Sequence, residues 1–283
     1  MMKKFMALGL AVVLAAAALT GCGNSAAKKT VKVIDVNLTD EEYAFGVDKT
    51  QPELLDSVNA FIKEIKENGT FDEICNHYFG DGTPVAVTSA ALDDSKDQLL
   101  VATNAAFEPF EYMQGESYYG IDMEIAAALA QYLGKELVIQ NMDFDAVCLS
   151  VGQQKCDIAM AGLTVREDRK EYVNFSDSYY SASQKLIVLS DDTEFDSCKT
   201  ADDVAALLAA KDASVKVGVQ TGTTGQLYVE GDAEWGFPGL AAEGVGYKNG
   251  SLAVQDLLNG NIQYVIIDSA PATCITEAIN KMQ

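Results

Sequence analysis

From Gln98 onward the chain alternates short apolar runs with helical ones, and that alternation limits the folds open to it. The pattern predicts strands over 99–102, 137–140, 157–161, 184–189, 215–219 and 263–267. Helical periodicity covers 145–154, 200–210, 251–259 and a last stretch from about Ser269. Asp122 is placed to cap a further helix that carries Ile125, Ala126, Leu129 and Leu133 and closes at Gly134. Strands that alternate with helices build parallel sheets covered on both faces, an α/β architecture. Ligands of such sheets bind beyond the carboxyl ends of the strands, at the loops that start the next helices.

The stretch before Gln98 mixes the same elements differently. Residues 31–36 and 43–48 read as strands. Pro52 opens a helix with Leu54, Leu55, Val58, Phe61, Ile62 and Ile65 on one face, and Gly69 stops it. A short helix near 71–77 ends at Tyr78-Phe79-Gly80. Residues 81–97 are small and polar with no sustained period, as in a linker. At the amino terminus, Lys3 and Lys4 precede an uncharged apolar run from Phe5 to Leu19. That run fits a secretory signal better than a membrane span. It ends Leu19-Thr20-Gly21-Cys22, which resembles the bacterial lipobox, with Cys22 the lipidated residue and a plain secretory signal the alternative. The expected product is an extracytoplasmic protein held to the membrane by acyl chains.

Composition narrows the chemistry. At 283 residues the chain suits one large domain or two ordinary ones, and 48% hydrophobic residues suffice for packed cores. Forty-two acidic residues against 20 basic ones give a net charge of −22, which repels phosphate backbones and argues against a nucleic-acid partner. His77 is the single histidine, so triads and zinc sites built on several imidazoles are excluded. Beyond Cys22 stand Cys75, Cys148, Cys156, Cys198 and Cys274; no CxxC pair occurs, and Cys148 and Cys156 read as small buried hydrophobes. Neither a cofactor nor a metal is expected.

Four loops carry candidate chemistry. Gly162-Leu-Thr-Val-Arg-Glu-Asp-Arg169 follows a strand and enters a short helix. Arg166 and Arg169 are the only arginines of a chain that otherwise uses lysine, and fork geometry suits capture of a carboxylate. A surface salt-bridge network with Glu167, Asp168 and Glu171 is the equal alternative. Gln220-Thr-Gly-Thr-Thr-Gly225 offers N–H groups and hydroxyls for anionic oxygens, or is an ordinary glycine-rich turn. Asp268 ends an apolar strand, where a carboxylate meets an ammonium or caps the next helix. Asn104 to Tyr112 brings aromatics that cover an apolar side chain or join the core. A cation, an anion, hydroxyls and aromatic walls on strand-to-helix loops match a free α-amino acid.

These residues resemble the amino-acid-binding proteins of ABC importers, bacterial extracellular solute-binding proteins of family 3. The matching stretches include Phe107-Glu-Pro-Phe-Glu-Tyr112, Gly120-Ile-Asp-Met-Glu-Ile-Ala126, Met142-Asp-Phe-Asp145, Gly162 to Arg169, Phe175-Ser-Asp-Ser-Tyr-Tyr180, Val217 to Thr224, Val254 to Gly260 and Ile266-Ile-Asp268. The resemblance implies an α/β, two-lobed periplasmic-binding-protein type II fold. It gives Arg169 and Thr164, helped by Thr224, the ligand carboxylate. Asp268 and the Gly162 carbonyl take the ammonium. Phe107 and Phe144 sandwich the side chain, Asn104 and Gln220 read its end, and Arg166 is a surface residue.

One departure concerns order. The family's closing segment resembles Leu38-Thr-Asp-Glu-Glu-Tyr-Ala44, the helix from Pro52 and Asn68-Gly-Thr-Phe-Asp-Glu-Ile74, and here it precedes everything else. Circular permutation explains this with each piece used once; the rival is the tail of a lost tandem copy. The expected organisation is 1–21 signal peptide, 22–30 tether, 31–42 return strand in lobe 2 and hinge, 43–80 closing segment of lobe 1, 81–97 linker joining the ancestral termini, 98–186 lobe 1 and 187–283 lobe 2. The expected protein is a monomer, not an enzyme, that captures a free amino acid with a neutral polar side chain and delivers it to an ABC permease. A dehydratase-like enzyme on the same fold, or a sensor for a separate receptor, is the alternative.

Overall fold

Gln98–Thr103 sits between two parallel neighbours, so both of its faces are covered and five of its six residues are buried. In the computed structural model, which describes residues 28–283, it is one strand of the first of two five-stranded sheets. That sheet runs Val173–Phe175, Gly46–Asp48, Ile158–Ala159, Gln98–Thr103, Glu136–Asn141. Gly46–Asp48 is antiparallel to both of its neighbours, and the other pairs are parallel. The second sheet runs Val31–Val33, Gln184–Leu189, Tyr264–Asp268, Lys216–Gln220, Glu243–Tyr247. Gln184–Leu189 is antiparallel to both of its neighbours, and the last three strands are parallel. The signal segment 1–21, Cys22 and most of the tether lie outside the described residues.

The segment before Gln98 therefore contributes to both sheets. Val31–Val33 extends the edge of the second, and Ile34, Val36 and Leu38 pack into its core with Leu186, Val188 and Phe195. Gly46–Asp48 is an interior strand of the first, and helix Pro52–Glu67 then buries Val58, Phe61, Ile62 and Ile65 against that lobe. Each of these side chains contributes roughly 1.5–3 kcal/mol by burial. The chain crosses between the lobes twice, through Glu41–Tyr43 and Tyr180–Ala182, and the two crossings pair antiparallel as a hinge. The strand Gln184–Leu189 lies in the second sheet and follows directly on the second crossing.

Other expectations need correction. Asp122 does not cap its helix: Ile121–Leu133 starts from Gly120, and Asp122 points inward, fully buried. Gly120 has φ 121°, and a Cβ there would stand 2.1 Å from the Phe110 carbonyl oxygen, so only glycine fits. The helix expected over 145–154 is a 3-10 turn Phe144–Ala146 followed by Val147–Gly152. Residues 81–97 hold no helix, but they are bound to lobe 1: Val87 is buried and pairs with Tyr118, and Ser89 Oγ accepts the Ile139 N–H at 2.8 Å.

Candidate functional site

Every candidate loop lies at the carboxyl end of a strand, and the two lobes turn these ends toward each other. Gln220 Nε2 of the second sheet donates to Asn104 Oδ1 beyond the first at 3.1 Å. Arg169 Nη2 donates to the Gly222 carbonyl at 3.1 Å, and Lys248 meets Asp143 at 3.0 Å. The strand ends thus form the walls of one cleft.

Arg169 is 7% exposed. Its Nη1 donates to the Thr164 carbonyl at 2.7 Å, and its guanidinium lies 5.2 Å from the Phe144 ring centre. Among the described residues no carboxylate lies within 4.0 Å of it. Burial, with Arg166 beside it, lowers its pKa, and a buried cation without an ionic partner is costly unless an anion joins it. Arg166 is also buried, not on the surface as expected. Its Nε donates to Asp168 Oδ1 at 2.9 Å and its Nη1 to Gly222 O at 3.3 Å, because the short helix Glu167–Lys170 turns both arginines inward. The salt-bridge alternative therefore describes Arg166 and Asp168, but not Arg169.

Asp268 is the opposite charge. It occupies the N-cap position of Ser269–Met282, yet its side chain makes no capping bond. Instead Oδ1 accepts from the Tyr43 hydroxyl and Oδ2 from Gln184 Nε2 at 2.8 Å. Burial, and after it the Glu41 carboxylate, pushes its pKa up to about 7. Glu41 is buried too, and accepts from Thr39 Oγ1 at 2.6 Å, Thr164 Oγ1 at 2.7 Å and Gln184 Nε2 at 3.0 Å. The Thr164 hydroxyl proton thus goes to Glu41 and its carbonyl accepts from Arg169.

The remaining candidates share these walls. The Gly162 N–H donates to Asp122 Oδ2 at 2.8 Å, and a Cβ on Gly162 would stand 2.9 Å from the Phe107 ring, so Phe107 packs directly on that backbone. The Phe144 ring lies against the Arg169 guanidinium. Thr224 Oγ1 and Gln220 Oε1 are buried without a hydrogen-bond partner, and Asn104 Nδ2 is taken by the Met142 carbonyl at 2.7 Å. Asp122 also accepts from Tyr179 Oη at 2.7 Å, and burial raises its pKa to about 7. Glu111 is fully buried with both oxygens unpartnered; burial, then Asp122 and Asp268, raises its pKa well above the carboxylate range.

Glu41, Tyr43, Asp122 and Gln184 were missed as site residues. Glu41 and Tyr43 sit in the quoted stretch Leu38–Ala44 and Asp122 in Gly120–Ala126, but no local pattern says that they bond to the candidate residues Asp268, Thr164 and Gly162. Gln184 carries no sequence signal. Among the described residues no cluster of His, Cys, Asp or Glu is arranged to hold a metal, and no helix is long and apolar enough to cross a membrane.

Comparison with known proteins agrees with this geometry. The model of the bacterial extracellular solute-binding proteins, family 3, matches residues 99–266. The arginine-binding extracellular protein ArtP of Bacillus subtilis (strain 168) is 33% identical over 109 residues, covering 38% of this chain and 43% of that protein. The probable histidine-binding protein of Neisseria gonorrhoeae is 29% identical over 171 residues, covering 60% and 58%. The chain thus spans about half the length of these curated relatives. Among solved structures, holo ArgBP from T. maritima is 33% identical with a TM-score of 0.54, covering 67% of this chain and 78% of that one. An ancestral amino-acid-binding protein, AncCDT-1, a precursor of cyclohexadienyl dehydratase, is 30% identical with a TM-score of 0.54, covering 65% and 75%. With a family match that runs through strands of both sheets and a cleft between them, the chain belongs to the bacterial extracellular solute-binding proteins, family 3.

Proposed function

We propose that this protein captures a free amino acid between its two lobes and delivers it to an ABC permease, without catalysing a reaction on it. One observation carries the reading: a buried cation, Arg169, on the first lobe faces the same cleft as a buried carboxylate, Asp268, on the second. Each is close enough to shift the other's pKa. A zwitterion supplies both missing partners at once. Thr224, Thr164 and the Gly162 backbone complete the grip on its backbone. Closure follows from contacts that only the approached lobes make, such as Arg169 to Gly222 and Gln220 to Asn104.

The proposed ligand carries a neutral polar side chain. Asn104 and Gln220 each offer a donor and an acceptor, and Phe107 covers the methylenes. A second reading, a cationic side chain, is favoured by Glu111, whose two oxygens are buried without partners, and by the arginine and histidine named for the relatives. Competition among glutamine, serine, cystine, arginine and leucine separates the two. Preference for glutamine, serine or cystine supports the first, and preference for arginine establishes the second. Turnover of the bound compound would return the protein to the dehydratase-like alternative.

The proposal includes a lipid anchor at Cys22 and a circular permutation. Supporting the permutation, the family match begins at residue 99, while Val31–Val33 and Gly46–Asp48, which precede it, occupy places in the two sheets. Residues 81–97 then join the ancestral termini, at a loop-closure cost that grows slowly with length.

A further inference from the structure

Glu41 and Tyr43 alternate with exposed Glu42 along one crossing strand, so both side chains turn to the same face, toward the base of the cleft. Tyr43 has no exposed surface. Its ring is packed edge-on against Phe110 at 5.1 Å and tilted against Tyr180 at 5.8 Å and Tyr179 at 6.4 Å. The backbone of Gly162 closes another side, since a Cβ there would lie 3.3 Å from the Tyr43 ring. A hydroxyl on a ring fixed this way is a donor of fixed position.

We propose that Tyr43 is a positioning residue for ligand capture: from the hinge it holds Asp268 in the orientation in which that carboxylate receives the ligand's ammonium. The inference rests on the proposed function. Tyr43 takes Oδ1 and Gln184 takes Oδ2, while Gln184 Nε2 also reaches Glu41 at 3.0 Å. A carboxylate has about four lone-pair sites, so roughly two stay available to a ligand. Glu41 extends the bracket to Thr164, on the first lobe. The crossing strand is thereby bonded to the residues that meet both ends of an amino acid, and an ammonium arriving at Asp268 meets a carboxylate already aligned from the hinge.

The test is Tyr43→Phe, which removes one oxygen and keeps the ring. The Asp268 carboxyl titration, followed by carbon-13 NMR, should move to higher pH, because the lost bond favoured the charged form. Affinity for the best free amino acid should fall about 10- to 100-fold, as for loss of a hydrogen bond to a charged group. In an Asp268→Asn background the same change should cost less than about twofold, since coupled residues are not additive. Tyr180→Phe, which removes a hydroxyl from the hinge partner, should leave both readouts in place. Gln184→Leu should move the Asp268 titration in the same direction, and serves if Tyr43→Phe does not fold. An unmoved Asp268 titration, or an equal loss in the Asp268→Asn background, overturns the inference. If the parent protein binds no free amino acid, the proposed function fails, while the titration still decides whether Tyr43 holds Asp268.

Discussion

Arg169 and Asp268 carry the account at the residue scale. Removing one partner leaves the other buried and unpaired in the complex, at a cost on the order of 3–5 kcal/mol. Arg169→Ala and Asp268→Asn should each weaken amino-acid binding at least a few hundred-fold, read by calorimetry. Normal binding by Arg169→Ala would mean that a different cation meets the carboxylate. Protons are linked to the same residues. Asp122 and Asp268 titrate near 7 in the fold against 3.8 for an ordinary aspartate, so between these values the folded chain holds protons that the unfolded chain has lost. Their contribution to stability is therefore largest in acid, below about pH 4, and is lost as pH rises toward 7. The melting temperature should fall from pH 5 to pH 8 through these groups, and Asp122→Asn should flatten the fall. A melting temperature that rises over that interval and is insensitive to Asp122→Asn contradicts the assignment.

At the scale of elements, the longer core strands were legible from their apolar residues: the stretch 215–219 is Lys216–Gln220 as observed, parallel to both neighbours, and 184–189 is Gln184–Leu189. Helix Pro52–Glu67 was legible from its apolar face and its proline start. The hairpin strands Glu111–Gln114 and Ser117–Tyr119 were not, since they are short and half-exposed, and neither was Glu243–Tyr247, whose two glycines break any apolar alternation. The hinge strand Glu41–Tyr43 has only three residues, and its pairing with Tyr180–Ala182 spans too much sequence for a local pattern to reveal. The charged ends of the site were visible as residue types on loops. Their bonds to Tyr43, Gln184 and Glu41 were not, because those depend on which elements the fold brings together. The permutation makes a prediction about the same elements. A re-ordered chain running 98–283 and then 31–84, with a short linker from Gln283 to Val31, should fold and bind as the parent does, because exposed joins tolerate such changes. An insoluble chain, or one that does not bind when the parent does, favours the tandem-tail explanation.

At the scale of the whole molecule, two lobes joined by two crossings form a hinge, and the proposed anchor sits on one side of it. Val31 begins an edge strand of the second sheet. Nine residue steps from Cys22 reach roughly 30 Å at most. The second lobe should therefore stay near the bilayer, and fluorescence transfer from a membrane dye to a label on that lobe should exceed transfer to a label on the first lobe. Equal or reversed transfer contradicts that placement. The central claim is capture of an amino acid by opposite charges on facing lobes, and calorimetric titration of the intact protein with the free amino acids, beside Arg169→Ala, tests it most directly. The account predicts saturable one-to-one binding of an amino acid by the parent protein and its loss in Arg169→Ala; absence of binding to every free amino acid, or equal affinity in both proteins, would contradict it.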